Sequence, residues 1–482
     1  LGSYNMEARN DAYFWRGESY YRMGEYENAI SDYRTYLNNT RQRNTDMYAL
    51  AYYNLGYSYF KLRDYSAALN RFRQYVDLES NRQAASLADA YNRIGDCLYQ
   101  NRQFSLAEEN YSRAAQLSPS AGDYSIYQKG FLLGLQKDYK GKISAMDRLI
   151  SEYPESQYVD DALFEKGRSY VLLENSSSAA QAFEKLIREF PQSSLARKAG
   201  IQLGLLYYND NQPEKALAAY KQVISNYPGS EEAKIALQDL KSVYIDLNDI
   251  NAYASYVNSI GGNIRLEVGE QDSLTYIAAE KLFMRGDNDG ARRSLINYLQ
   301  TFPEGAFSSN ANFYLGSIAF AKKEFDEAIQ RFKSVIASGD TKFLEESVAR
   351  TAEIEYLSKD YPAALESFKR LQIVAENPEN RQAARLGIMR CALQTGQQKD
   401  ALLAADELLK EPKLSPELEA EARYVRAKAY IAQKQANKAL ADLKELSKDT
   451  RTVHGAEAKY LLAQLYSVSY THLRAHETSL HL

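Results

Sequence analysis

The 482-residue chain is 45% hydrophobic and 25% charged with a formal net charge of -4, the balance of an ordinary globular protein. No run approaches the roughly 18 apolar residues of a membrane helix, and acids and bases are mixed along the chain rather than gathered into a basic arm, which argues against a nucleic-acid partner. A single compact core rarely extends over so long a chain, so the sequence must form several domains or a core that grows by repetition.

Taken in order, the chain repeats one pattern. The chain starts at Leu1 rather than methionine and reaches a first helical stretch by about Asp11, which reads as a truncated start. Small residues then recur at Gly17, Gly56, Gly95, Gly130, Gly167 and Gly204, with spacings of 39, 39, 35, 37 and 37. Twelve residues after five of them stand Ala29, Ala68, Ala107, Ala179 and Ala216, and four further on stand Tyr33, Phe72, Tyr111, Phe183 and Tyr220. The copy at Gly130 departs, with Lys142 and Met146 at those places, which predicts a less tightly packed helix pair.

The clearest copy runs from Gly200 to Ser230. Leu203, Gly204, Tyr207 and Tyr208 fall on helical spacing, and the polar run Asn209 to Gln212 stops the helix. Pro213 suits the first turn of a second helix, along which Ala216, Tyr220 and Val223 make one apolar stripe. A glycine inside a helix costs about 1 kcal/mol against alanine, so Gly204 implies a close neighbour, for which Ala216 is the natural choice. Tyr227-Pro228 ends the second helix and Ser230 is placed to cap the next. Pro119, Pro154, Pro191, Pro228 and Pro303 close their units, three of them with a serine two residues on (Ser156, Ser193, Ser230).

After Tyr244 the pattern fails. Residues 246–272, with Gly261-Gly262 and the alternating Ile264, Leu266 and Val268, read either as one degenerate repeat with a longer loop or as a hinge. The pattern resumes at Ala291 and Leu295, then at Gly316, Ala328 and Phe332, and continues through Ala364, Ala401 and Ala439, for twelve helix pairs and the first helix of a thirteenth. Beyond about Asp360 the helices become rich in Ala, Leu, Lys and Glu. Residues 467–482 fit nothing before them. His472 and His476 there have the spacing of metal ligands on one helix face, but Val468 to Thr478 resembles the in-frame translation of a sequencing adapter, so the tail reads as non-native and no metal or cofactor site is expected.

Gly204, Tyr207, Ala216, Tyr220 and Pro228 together resemble the signature of the tetratricopeptide repeat, whose period is about 34 residues. The resemblance implies an all-α, right-handed superhelical solenoid of stacked antiparallel helix pairs. It divides the chain into an array over 1–245, the degenerate stretch 246–272, a second array over 273–466 and the tail. The Tyr/Phe-Pro-x-Ser junctions are similar to those of bacterial envelope members, namely the TolA-binding cell-division coordinator and the lipoprotein of outer-membrane barrel assembly. Gly17, Ala29, Gly56, Ala68, Gly95, Ala107, Gly167, Ala179, Gly204, Ala216, Gly316 and Ala328 are then the repeat-packing positions.

In the family, positions three before, one after and four after the small residue line the concave surface. Here they carry Phe14, Tyr21, Tyr53, Tyr57, Phe60, Tyr127, Phe131, Phe164, Tyr208, Phe313 and Phe320, which predicts an aromatic groove for a peptide segment or helix of another protein. The lysine and asparagine clamp of the chaperone-binding branch is absent from the corresponding positions. No phosphate-binding glycine loop, metal-protease, redox or nucleophile-elbow motif is present. Cys97 and Cys391 lie far apart and read as small buried residues. The expectation is a non-enzymatic interaction scaffold, by resemblance periplasmic and possibly outer-membrane associated; the alternatives are a cytoplasmic location and the docking or sensing arm of a larger enzyme or signalling protein.

Overall fold

The computed structural model describes residues 2–81, 85–261, 265–339 and 342–479, with side chains described from 6 to 467 within those stretches. It falls into two compact units, one ending at Val243 and the other beginning at Tyr244. The first contains the pairs α1 (Gly2–Met23) and α2 (Tyr26–Asn39), α3 (Asp46–Lys61) and α4 (Tyr65–Leu78), α5 (Ala85–Gln100) and α6 (Phe104–Leu117), and α7 (Asp123–Leu135) and α8 (Tyr139–Glu152). The pairs α9 (Val159–Leu172) and α10 (Ser176–Glu189), and α11 (Ser194–Asn209) and α12 (Pro213–Asn226), follow, and the unit boundary falls within α13 (Glu231–Asp246).

The second unit continues with α14 (Ile250–Ile260), then pairs α15 (Val268–Met284) with α16 (Asn288–Thr301), α17 (Ser308–Ala321) with α18 (Phe325–Ala337), and α19 (Leu344–Leu357) with α20 (Tyr361–Val374). The pairs α21 (Pro378–Gln394) and α22 (Gln398–Leu408), and α23 (Pro416–Ala432) and α24 (Ala436–Leu446), precede α25 (Val453–Ser479). Among the described residues there are twenty-five α-helices, the number the repeats predict, eleven of the pairs each lying within one unit. No strand occurs among the described residues. The side chains of His472, His476 and His481, and with them the reading of the tail, lie outside the described residues.

Each pair closes with the same turn. One residue in it takes the left-handed conformation, from Gly24 and Arg63 through Asn211 to Lys434. In the second pair the Arg63 and Asp64 N–H groups donate back to the carbonyls of Phe60 and Tyr59, both at 3.0 Å, and the Asp64 carboxylate accepts from the Ala67 N–H at 3.0 Å. The carbonyls left over at the end of one helix and the N–H groups at the start of the next are thereby satisfied within five residues. Ser230 caps α13 as expected, its Oγ accepting from the Ala233 N–H at 3.0 Å.

The small residues lie buried at the centre of each pair, with a correction to their partner. A Cβ built on Gly204 would meet Cε1 of Tyr220 at 2.4 Å, and its three nearest atoms all belong to that ring rather than to Ala216. The same holds for Gly17 under Tyr33, Gly56 under Phe72, Gly95 under Tyr111, Gly167 under Phe183 and Gly316 under Phe332. Ala29, Ala68, Ala107, Ala179, Ala216 and Ala328 are wholly buried one turn before those rings. The ring reaches across the interface where a methyl group does not, so it is the ring that requires the glycine. The copy at Gly130 is not loose, contrary to expectation: Met146, itself fully buried, brings its Cε to 2.3 Å from a Cβ built there. An unbranched thioether fills the gap that a ring fills elsewhere.

First helices of successive pairs touch one another, α9 with α11 in the first unit and α19 with α21 and α21 with α23 in the second. Among the described residues no two second helices approach to that extent. The first helices therefore line the inner side of each unit.

Candidate functional site

The eleven aromatic positions share this inner side, but the structure uses most of their rings to join neighbouring repeats. Tyr53 and Tyr57 project from α3, their rings edge-to-face at 5.0 Å, and both hydroxyls donate to the Asp89 carboxylate on α5, Tyr53 at 2.7 Å. Burial raises both phenols above their ordinary pKa, and the Asp89 charge adds to it. Phe60 lies under the Arg93 guanidinium at 5.6 Å. Arg93 pairs with Asp96 at 2.6 Å, and Asp96 in turn accepts from the Tyr111 and Tyr124 hydroxyls at 2.7 Å each. Three repeats are thus knitted through two carboxylates. Burial raises the Asp96 carboxyl above the usual range, with Arg93 and the two hydroxyls opposing it.

Of the other expected groove residues, Phe14 is a correction: at 2% exposure it belongs to the core, against Tyr33 and Tyr36. Tyr21 packs on Tyr26, Phe131 on Tyr99 and Phe164 on Phe183. Phe320 lies beneath the Arg350 guanidinium at 5.0 Å, and Tyr208 is half-buried. Tyr127 and Phe313 belong to a regular set of face-to-face contacts. Tyr127 stacks on Tyr158 at 5.1 Å, Tyr276 on Phe307 at 4.5 Å, Phe313 on Phe343 at 4.1 Å and Tyr424 on His454 at 4.8 Å. Partners in these pairs are 31, 31, 30 and 30 residues apart, so each joins one first helix to the start of the next.

The junction serines make a second link. Ser156 Oγ donates to Asp123 and Ser193 Oγ to Asp160, each at 2.6 Å, and the Tyr227 hydroxyl donates to the Pro191 carbonyl at 2.8 Å. The Tyr-Pro-x-Ser junction therefore binds each repeat to its predecessor as well as ending a helix.

Two features escaped the aromatic pattern. On the inner side of α7, α9 and α11, Leu135, Leu172 and Leu205 are 48%, 56% and 43% exposed. Leu205 occupies a ring position, one residue after Gly204, whereas Leu135 and Leu172 stand five after Gly130 and Gly167, one beyond the last ring position and at the final residue of their helices, which is why the pattern missed them. The other is a cavity of about 420 Å³ between α19 and α21, floored by Phe368 and Leu371 of α20. Among the described residues no cluster of three metal-ligating side chains occurs, and no helix is long and apolar enough to cross a membrane. Cys97 and Cys391 are buried free thiols, pushed up by burial to about 12 and about 11.

Tetratricopeptide-repeat profiles match residues 53–122 and 278–341, and a second such profile matches 11–39 and 124–156. The outer membrane lipoprotein family YfiO matches 160–238. No curated protein matches the chain. Among solved structures, the chain is similar to YrrB, described as a TPR protein with an unusual peptide-binding site, at 22% identity over 39% of this chain and 89% of that one, with a TM-score of 0.33. It is similar to PilF of Pseudomonas aeruginosa at 18% identity over 49% and 99% of the two chains, TM-score 0.35. The C-terminal part of a TPR repeat-containing protein from Cytophaga hutchinsonii gives 16%, 62% and 98%, TM-score 0.39. The helix pairs, their buried glycine–ring contacts and the repeat profiles together make the fold an all-α solenoid of tetratricopeptide-type repeats.

Proposed function

We propose that the chain is a non-enzymatic scaffold that holds a segment of another protein against the inner side of its first helices, in the assembly or division of a bacterial cell envelope. The observation that carries the binding reading is the exposure of Leu135, Leu172 and Leu205, one on each of three successive first helices, which we read as a leucine strip open to a partner. Half-buried Phe131, Phe164 and Tyr208 stand along the same three helices. Large amphipathic side chains beside exposed leucines suit an amphipathic helix or an extended segment. Tetratricopeptide repeats are in general a protein-interaction fold rather than a catalytic one, which fits the lack of any nucleophile, metal or phosphate motif. The envelope part of the reading is supported by the YfiO profile over 160–238 and by the Tyr/Phe-Pro-x-Ser junctions within it.

The test is affinity capture from separated envelope and cytosolic fractions with the parent and a Leu135→Glu, Leu172→Glu, Leu205→Glu variant. These three side chains are exposed, so the variant keeps its helical content. Envelope proteins retained by the parent and lost by the variant are the expected result. Retention of the same proteins by both places the binding surface elsewhere, and retention of cytosolic proteins alone removes the envelope assignment.

A further inference from the structure

The stacked ring pairs join first helices at four junctions and are absent at others, among them that of α19 with α21. There the spacing of 31 residues pairs Ala349 of α19 with Asn380 of α21, so both rings are missing, and both residues line the cavity of about 420 Å³. The Asn380 amide is drawn away to the Glu345 carboxylate at 2.7 Å, which holds it out of the gap. Phe368 and Leu371 of α20 form an apolar floor. The hole thus lies where the protein puts an aromatic ring at the four stacked junctions, and its size is within the range of small ligand pockets.

Its rim carries a definite charge. Arg350 is held by Glu346 and Glu353 at 2.8 and 2.9 Å, and Arg390 by both oxygens of Glu421 at 2.7 Å. Glu379, exposed at the start of α21, adds a further carboxylate, so three lining carboxylates, with Glu421 of α23 behind Arg390, stand against two guanidiniums. We propose that this notch binds a protein segment that presents one large aromatic side chain next to a lysine or arginine. The ring replaces the missing stacked pair over Phe368, and the neighbouring cation meets the surplus of carboxylates. The notch rests on the scaffold reading but belongs to a different unit from the leucine strip.

The probe is a fluorescein-labelled peptide, Gly-Ser-Gly-Trp-Lys-Ser-Gly, titrated to millimolar concentration by fluorescence anisotropy, beside versions with Ala for Trp and with Glu for Lys. The parent is expected to bind the first, to lose the Ala version and to bind the Glu version about tenfold more weakly. The double variant Ala349→Phe with Asn380→Phe, which rebuilds the ring pair, is expected to lose binding with its helical content intact. Should that variant fail to fold, Glu379→Lys, altered at an exposed position, is expected to weaken the Trp-Lys peptide about tenfold. No binding by the parent, equal binding of the Ala version, or unchanged binding by the refilled and charge-reversed variants overturns the proposal. A parent that ignores the peptide yet captures envelope proteins through the leucine strip sinks the notch alone.

Discussion

Gly204 shows what a single residue carries. The pattern of small residues was legible because a glycine inside a helix needs a reason, and the reason inferred, close packing across the pair, is correct. Its partner was not legible from spacing alone, since Ala216 and Tyr220 lie on the same stripe and only side-chain reach separates them. The consequence is a contrast in sign between two helical glycines. Gly204→Ala gains roughly 1 kcal/mol of helix propensity but drives a methyl group into the Tyr220 ring, for a net loss of about 1–2 kcal/mol. Gly269, in the first turn of α15, has nothing within 4 Å of an added Cβ, so Gly269→Ala is expected to leave stability unchanged or raise it. Thermal unfolding of the two variants beside the parent checks this, and equal melting of all three would disprove the glycine–ring contact.

At the scale of the helix pair, the pattern and number of helices followed from the repeats, whereas the turn within each pair did not. Asn209 to Gln212 was recognisable because asparagine, aspartate and glutamine cluster there, but the left-handed position is held by Arg63, Arg102, Lys137, Lys323, Lys359 and Lys434 in other copies. Such residues carry no turn signal of their own; the returning backbone bonds impose the conformation, helped in these copies by a capping carboxylate only at Asp64, Asp138 and Asp360. A left-handed β-carbon costs about 1–2 kcal/mol, against which glycine loses roughly 0.5–1 kcal/mol in chain entropy. Gly286, at φ 83 in the turn between α15 and α16, is therefore expected to lose about 1 kcal/mol as Gly286→Ala, while Lys323→Gly is neutral or stabilising by up to about 1 kcal/mol. Denaturant midpoints at unchanged slope are the measurement. The junction residues belong to the same lesson: Ser230 reads as a cap and is one, but Ser156 and Ser193 also reach back to Asp123 and Asp160, a tertiary link that helix-capping rules do not contain.

For the molecule as a whole, the aromatic inner side was visible in the sequence as a set of positions, yet what the rings do there was not. Spacing along one helix cannot say that Tyr53 and Tyr57 give their hydroxyls to Asp89 of the next repeat, and it cannot reveal a cavity defined by the rings that Ala349 and Asn380 lack. A search for what is present misses what is absent. Because each repeat of a solenoid contacts mainly its neighbours, the cost of breaking one junction stays local. Asp89→Ala removes the shared acceptor of two half-buried hydroxyls, and unsatisfied groups of that kind cost about 1–3 kcal/mol. Arg93, which also lies 3.7 Å from the Asp89 carboxylate, keeps Asp96 at 2.6 Å and so stays paired. Amide hydrogen exchange in this variant is expected to quicken in α3 to α6, on both sides of the broken link, and to be unchanged in α9 to α12. Uniform quickening across all of these helices would mean that the first unit opens as one cooperative body, and no change in α3 to α6 would mean that the ring packing, not the tyrosine–aspartate bonds, joins the repeats.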